Sequence, residues 1–270
     1  MKPLIYDAHA CHNTFIIVDC MHQSILNADD LKVIHQRLIQ SGCDDAIILI
    51  HGLQEPDGFT MQMLVYGADQ KFGDFCGNGA RACAAFLFQA YSQYQRFFLR
   101  VNGEKKEFIN HGNDCYSIEL PSVNFIPHQK FFTENVKFSR DNAGFYLNYA
   151  DKKLYYTDAM EPHLLLNERL SVDEITSLGE QLNQDAHLFP QGINLTVFSQ
   201  KNDEVLSAIT FERGIMSVTQ SCGTGSCCVA SFDLHGKPGI RTIHNLGGIL
   251  EIENKQQGVL LKGPAYVAGI

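Results

Sequence analysis

Two cysteines stand in near-identical settings, Phe75-Cys76-Gly77-Asn78-Gly79 in the first half of the chain and Ser221-Cys222-Gly223-Thr224-Gly225 in the second. Small and apolar residues of helical character follow each loop, so each cysteine is set at the mouth of a helix. Two matched thiols supply what inversion of a carbon centre needs: one base to remove a proton and one acid to return it from the opposite face. Gly77, Asn78 and Gly79, with Gly223, Thr224 and Gly225, would offer backbone amides to an anion, and residues without bulky side chains let the backbone approach closely. The helix ends are expected to acidify both thiols, and because two facing thiolates repel, the resting pair would share one proton.

Simpler readings exist. One loop alone would pass for turn glycines beside a buried cysteine, but the same loop at equivalent places in two similar halves favours chemistry. A cysteine hydrolase would use one nucleophile and one of the eleven histidines, and would leave the second loop without a role. Neither loop is a phosphate-binding glycine motif, and no C-x-x-C redox pair is present. Pyridoxal phosphate gains no support without a phosphate cradle or an evident Schiff-base lysine. No cofactor is expected.

The elements around the loops repeat. Strand-like stretches at Thr60 to Tyr66 and Leu206 to Phe211 precede the two cysteines, and glycine-led apolar runs at Gly42 to Ile50 and Gly192 to Phe198 lie upstream. Helices are predicted at about Ala80 to Tyr91, apolar nearly all round, and at about Ser226 to Leu234, stopping at Gly236-Lys237-Pro238-Gly239. Three strands follow each: Phe97 to Val101, Glu107 to Asn110 and Cys115 to Leu120, then Arg241 to His244, Ile249 to Glu253 and Val259 to Lys262. Amphipathic helices are predicted at Asp29 to Gln40 and Val172 to Asn183, and Gln129 to Lys153 reads as a connection plus a surface hairpin. The expected fold is α+β, with two pseudo-symmetric lobes, each a bent, mostly antiparallel sheet wrapped around a central apolar helix. The lobes are placed at 1–124 and 125–265, with the tail 266–270 completing the first.

Composition narrows the partner. A chain of 270 residues that is 45% hydrophobic can bury a substantial core, and its net charge of −9 with no Lys/Arg run argues against nucleic acid or an anionic membrane. A small molecule is expected instead. No charged-then-apolar leader opens the chain, and Asp19 breaks the run Phe15-Ile16-Ile17-Val18, so a cytoplasmic protein without a membrane span is expected. Nine scattered cysteines, with gaps of six residues from Cys76 to Cys83 and four from Cys222 to Cys227, suggest neither structural disulfides nor a zinc site. No metal is expected, and a homodimer is left open.

At these residues the chain resembles the diaminopimelate epimerase family of cofactor-independent two-cysteine amino-acid epimerases and racemases. The resemblance rests on Cys76-Gly77-Asn78-Gly79-Ala80-Arg81, Glu212-Arg213-Gly214, Cys222-Gly223-Thr224-Gly225 and Gly263-Pro264-Ala265, supported by His12-Asn13-Thr14-Phe15, Gly192-Ile193-Asn194 and Pro162-His163. It implies that Cys76 and Cys222 are the acid and base, facing each other across a cleft between the lobes. Asn13, Gly77, Asn78, Asn194, Glu212, Arg213, Gly223 and Thr224 are implied to bind substrate, with the glycine loops on the reacting carboxylate. Asn13 and Asn194 also suit turns or caps, His163 also suits a structural hydrogen bond, and Glu212 with Arg213 also suits an exposed ion pair.

Departures from the family pattern fall on the far end of the substrate. Glu161-Pro162-His163 stands for the family's Asn-Pro-His, Gly67-Ala68-Asp69 for Asn-Ala-Asp, and Asp45 for a glutamine. An ionised glutamate cannot donate to a distal carboxylate and would repel it, and glycine offers no side chain. Asp45, Gly67, Glu161 and His163 are therefore the candidate specificity residues. Diaminopimelate is the first expected substrate. An amino acid with a neutral or cationic side chain, such as histidine or lysine, is the alternative, with Glu161 either contacting a cation or neutralising Arg213; a non-catalytic amino-acid-binding relative is the third.

Overall fold

The computed structural model describes residues 3–23, 25–73 and 75–269. The chain divides into two compact units, one of Met1–Glu119 with Lys262–Ile270 and one of Leu120–Leu261. The first runs β1 (Leu4–Ala10), β2 (Asn13–Asp19), α1 (Ala28–Ser41), β3 (Asp45–Glu55), β4 (Gly58–Gly67), β5 (Phe72–Gly73), α2 (Gly77–Ala90), β6 (Phe97–Val101), β7 (Glu104–Asn110) and β8 (Cys115–Leu120). The second runs β9 (Ser139–Arg140), β10 (Phe145–Tyr149), β11 (Lys152–Asp158), β12 (Pro162–Asn167), α3 (Val172–Gln184), β13 (Asn194–Gln200), β14 (Val205–Glu212), β15 (Ser217–Val218), α4 (Gly223–Asp233), β16 (Gly239–Asn245), β17 (Gly248–Asn254) and the first half of β18 (Val259–Pro264), whose residues from Lys262 on belong to the first unit. The last strand, β19 (Tyr266–Ala268), pairs antiparallel with β1.

Within each unit the strand pairing is mostly antiparallel, and its parallel pairs bracket the helices. In the first, β2 runs parallel to β3 across α1, and β4 to β6 across α2. In the second, β12 runs parallel to β13 across α3, and β14 to β16 across α4. The repetition is an α+β duplication, and it extends to side-chain registers.

Two kinds of helix result. Both α1 and α3 begin with reciprocal capping boxes, Asn27 with Asp30 and Ser171 with Glu174, which satisfy the first free amides. Each buries a single face, Ile34 and Leu38 on α1 and Ile175, Leu178 and Leu182 on α3, and leaves the rest in solvent. By contrast α2 and α4 are buried nearly all round. They are the central helices of the two units, touching strands on several sides.

The starts of α2 and α4 correct the sequence reading by three residues each. They begin at Gly77 and Gly223, not at Ala80 and Ser226, because the cysteines themselves serve as N-caps. Glycine's low helix propensity, about 1 kcal/mol per residue, is offset where the helix end is capped and enclosed. Among the described residues no helix is long and apolar enough to cross a membrane, and the nine cysteines form no disulfide with one another.

Candidate active site

The two cysteine loops share one backbone geometry. Cys76 has φ −126° and ψ 109°, Cys222 has φ −118° and ψ 113°, and each thiol accepts the amide N–H three residues on. Gly79 N lies 3.2 Å from Cys76 Sγ, and Gly225 N lies 3.4 Å from Cys222 Sγ. A sulfur so placed stands at the positive end of the helix dipole, with the remaining first-turn amides beside it.

Both loops require their last glycine for space. A Cβ at Gly79 would come within 2.4 Å of Ile47 Cδ1, and one at Gly225 within 2.8 Å of Thr210 Oγ1 and 2.9 Å of Thr196 Oγ1. Ile47 pairs with Val65, and Thr196 pairs with Thr210. The two glycines thus sit over equivalent strand positions, aliphatic in the first unit and hydroxylated in the second.

Behind Cys222 lies a buried polar chain. Its sulfur is 3.4 Å from Thr224 Oγ1, which is 3.0 Å from His163 Nε2. His163 Nδ1 is 2.9 Å from Thr196 Oγ1, which is 3.0 Å from Thr210 Oγ1. His163 is fully buried, and that burial together with the positive charge of Arg213 pushes its pKa down to about 3. The imidazole is neutral at physiological pH.

The expected acidification fails at Cys222. Burial, reinforced by the negative charge of Glu212, raises its pKa well above the ordinary thiol value, outweighing the hydrogen bonds from Thr224 and the Gly225 amide. Helix-end stabilisation is worth about 1 kcal/mol, whereas removing a charge from water costs several. Burial thus favours the protonated thiol at Cys222.

The remaining candidates of the second unit gather at the ends of β13 and β14. Asn194 Oδ1 accepts the Arg213 backbone N–H at 2.9 Å, fixing the turn after β14, and Thr219 Oγ1 donates to Glu212 Oε1 at 2.5 Å. Arg213 is held by Glu161, with Nη2 2.8 Å from Oε2 and the two side chains only 12% and 13% exposed. The guanidinium also lies 5.6 Å from the Phe131 ring centroid. Of the two roles open to Glu161, the structure has it neutralising Arg213.

In the first unit, Asn13, Asn78 and Arg81 form one network. Asn78 Nδ2 donates to Asn13 Oδ1 at 3.2 Å, and Arg81 donates to Asn78 Oδ1 at 2.6 Å, to Gly77 O at 3.2 Å and to Cys11 Sγ at 3.6 Å. Arg81 has no exposed surface, so it acts as a buried cation beneath the Cys76 loop. Cys11 and His12 both have positive φ, 49° and 65°, forming the tight two-residue turn that delivers Asn13. Arg81, Thr196 and Thr210 are the residues the sequence reading left out. Arg81 lay inside a quoted motif, while the threonines carry no local signal.

Asp45 and Gly67 pair in register at the mouth of β3 and β4. Burial, then the charges of Asp44 and Asp69, pushes the Asp45 pKa up to about 6. A folded-state pKa above the unfolded value means the native state holds the proton longer. Stability therefore falls as pH rises from about 4 to about 6 and stays lower above that. Asp45→Asn should remove this loss, so at pH 7 the variant should be more stable than the parent by on the order of 2 kcal/mol, with little difference at pH 4. Urea melts at the two pH values check this; an equal gain at both would show that Asp45 ionisation is not the cause.

Comparisons with known proteins find similarity to diaminopimelate epimerases. A family model described as diaminopimelate epimerase matches residues 165–268. Diaminopimelate epimerase of Flavobacterium psychrophilum is 25% identical over 97% of this chain and 96% of its own length, and that of Halothermothrix orenii is 27% identical over 95% and 93%. The chain is thus similar to diaminopimelate epimerases over almost its whole length. Solved structures agree on the fold of this group. A phenazine biosynthesis protein of the PhzF family from Enterococcus faecalis superposes with TM-score 0.64 at 15% identity, covering 100% of this chain and 98% of its own. A hydroxyproline epimerase from Agrobacterium vitis gives 0.62 at 14%, covering 100% and 91%. Among the described residues no group of three His, Cys, Asp or Glu side chains could hold a metal ion.

Proposed function

We propose that the chain is a cytoplasmic amino-acid epimerase or racemase in which Cys76 and Cys222 act as base and acid on one Cα, without pyridoxal phosphate. The observation that carries this reading is the repeated cap: two helices, one per unit, each start at a cysteine whose sulfur accepts the third amide. Helix amides left over at such an end bind a carboxylate and strengthen their hold as negative charge builds during proton removal. With Cys222 kept protonated by burial, the pair starts with its proton on that sulfur. Asn13, Asn194, Glu212 and Arg213 would hold the rest of the substrate.

The relatives' names make diaminopimelate the first substrate to test. The Glu161–Arg213 pair favours a second reading, a basic amino acid, because it fills the cation that a second carboxylate would seek. Incubation of the reduced protein in deuterated water with LL-diaminopimelate, lysine and histidine discriminates between them. Deuterium is expected at Cα with inversion for at least one of the three. Retention of the proton in all three, with the thiols titrating as reduced, would mark a binding protein without catalysis.

A further inference from the structure

The chain of contacts behind Cys222 has two head-to-tail orders, and each suits one state of the sulfur. A neutral imidazole has one N–H and one lone pair, so it donates at one end and accepts at the other. With Cys222 as a thiol, S–H donates to Thr224 Oγ1, the Thr224 hydroxyl donates to His163 Nε2, and His163 Nδ1–H donates to Thr196, which donates to Thr210. With Cys222 as a thiolate every arrow reverses: Thr210 donates to Thr196, Thr196 to Nδ1, Nε2–H to Thr224, and the Thr224 hydroxyl to the sulfur. The distances, 3.4, 3.0, 2.9 and 3.0 Å from Cys222 to Thr210, permit both orders.

We infer that His163 is a positioning residue whose ring tautomer follows the protonation state of Cys222, with Thr224 as the link and Thr196 and Thr210 as the far end. The ring stays neutral throughout: the Nδ1 proton passes to water and water supplies the one gained at Nε2 when the buried site opens to solvent, while Thr224 and Thr196 only turn their hydroxyl hydrogens, so the imidazole carries one proton in both states. A thiolate that takes the Thr224 hydroxyl hydrogen while the ring keeps Nδ1–H would set the Nε2 lone pair against a Thr224 lone pair in a buried site, which costs the full penalty of an unmade hydrogen bond.

The relay belongs to one unit only. Phe15 pairs with Asp45 as His163 pairs with Asn194, so Phe15 occupies the register of His163. Ile47 and Val65 likewise occupy the registers of Thr196 and Thr210, and a Cβ added at Gly79 meets Ile47 where one at Gly225 meets Thr196 and Thr210. The registers that His163, Thr196 and Thr210 fill in the second unit are thus filled by Phe15, Ile47 and Val65 in the first.

The charged or titratable groups facing this chain are Glu212 and Cys228, which face Cys222, and Arg213, which faces His163 and is held by Glu161. Glu212 and Cys228 oppose the thiolate, and Arg213 opposes an imidazolium. Together they favour a neutral ring beside a thiol in the resting protein.

The inference rests on Cys222 being an acid/base group, but its test does not depend on turnover. Long-range 15N–1H spectra of the full chain labelled at histidine, with His163 assigned through His163→Gln, report which ring nitrogen bears the proton. At neutral pH the parent should show Nδ1–H. Cys222→Asp puts an acceptor-only anion at the cap, and His163 should then show Nε2–H. Adding Thr224→Val to Cys222→Asp should uncouple the ring from the anion, and Thr224→Ser should keep the coupling. Should Cys222→Asp not fold, the parent is taken to alkaline pH, where the tautomer change should track the thiolate absorbance lost in Cys222→Ala. The same protonated nitrogen in both states of position 222, or a switch that survives Thr224→Val, overturns the relay. Loss of racemisation in the single-cysteine variants with an unresponsive tautomer would reject the relay and leave the two-thiol reading intact.

Discussion

Cys76→Ala and Cys222→Ala are each expected to lower racemisation by roughly 10³-fold or more, the scale of a lost general acid or base. Both cysteines are caps whose sulfur takes one amide, so alanine removes a hydrogen bond worth about 1 kcal/mol, and each variant should stay folded. The signature is in what survives. A two-thiol site with one sulfur left can still remove and return a proton on one face, so residual deuterium uptake should be confined to one enantiomer, without inversion. The surviving enantiomer should be opposite in the two variants. Chiral chromatography with mass detection reads both quantities. Uptake into the same enantiomer in both variants, or full racemisation in either, would rule out the two-thiol reaction.

The features that proved readable in the sequence are those written locally. Cysteine and glycine at matched spacing marked both loops, and alternation with turn residues placed Phe97 to Val101 and Cys115 to Leu120 at the observed bounds of β6 and β8. Helix starts were missed because propensity counts Gly77 and Gly223 as breakers, whereas a sulfur cap and enclosure by strands offset that cost. The state of Cys222 was misjudged for a related reason. Its helix end is visible in sequence, but its burial and the approach of Glu212 are tertiary facts.

The polar chain shows the same divide. Thr196 and Thr210 are ordinary strand residues when read singly, and only the register of β13 with β14 and of β12 with β13 brings them to His163. No window of sequence contains that arrangement. Glu161 was singled out because it departs from a family pattern, but its partner stands 52 residues away, and sequence alone left its role between two options.

That pair carries the second large expectation. Arg213 and Glu161 are mostly removed from solvent, so the bond between them is a standing neutralisation and not a loose surface contact. A substrate with a second carboxylate would have to share Arg213 with Glu161. Two like charges about 5 Å apart, at an effective dielectric of about 20, repel by about 3 kcal/mol, or roughly a hundredfold in affinity. A basic side chain meets the opposite situation, since Glu161 and Glu212 together outnumber the one cation. Glu161→Gln keeps the shape, can still accept from Arg213, and can donate to an incoming carboxylate. The ratio of kcat/KM for LL-diaminopimelate to that for lysine, measured by deuterium uptake, should therefore rise by about a hundredfold in the variant. Circular dichroism with an unchanged melting profile would exclude a folding defect as the cause. A ratio that stays within about threefold of the parent's would mean that Glu161 holds Arg213 for structure and does not select the substrate.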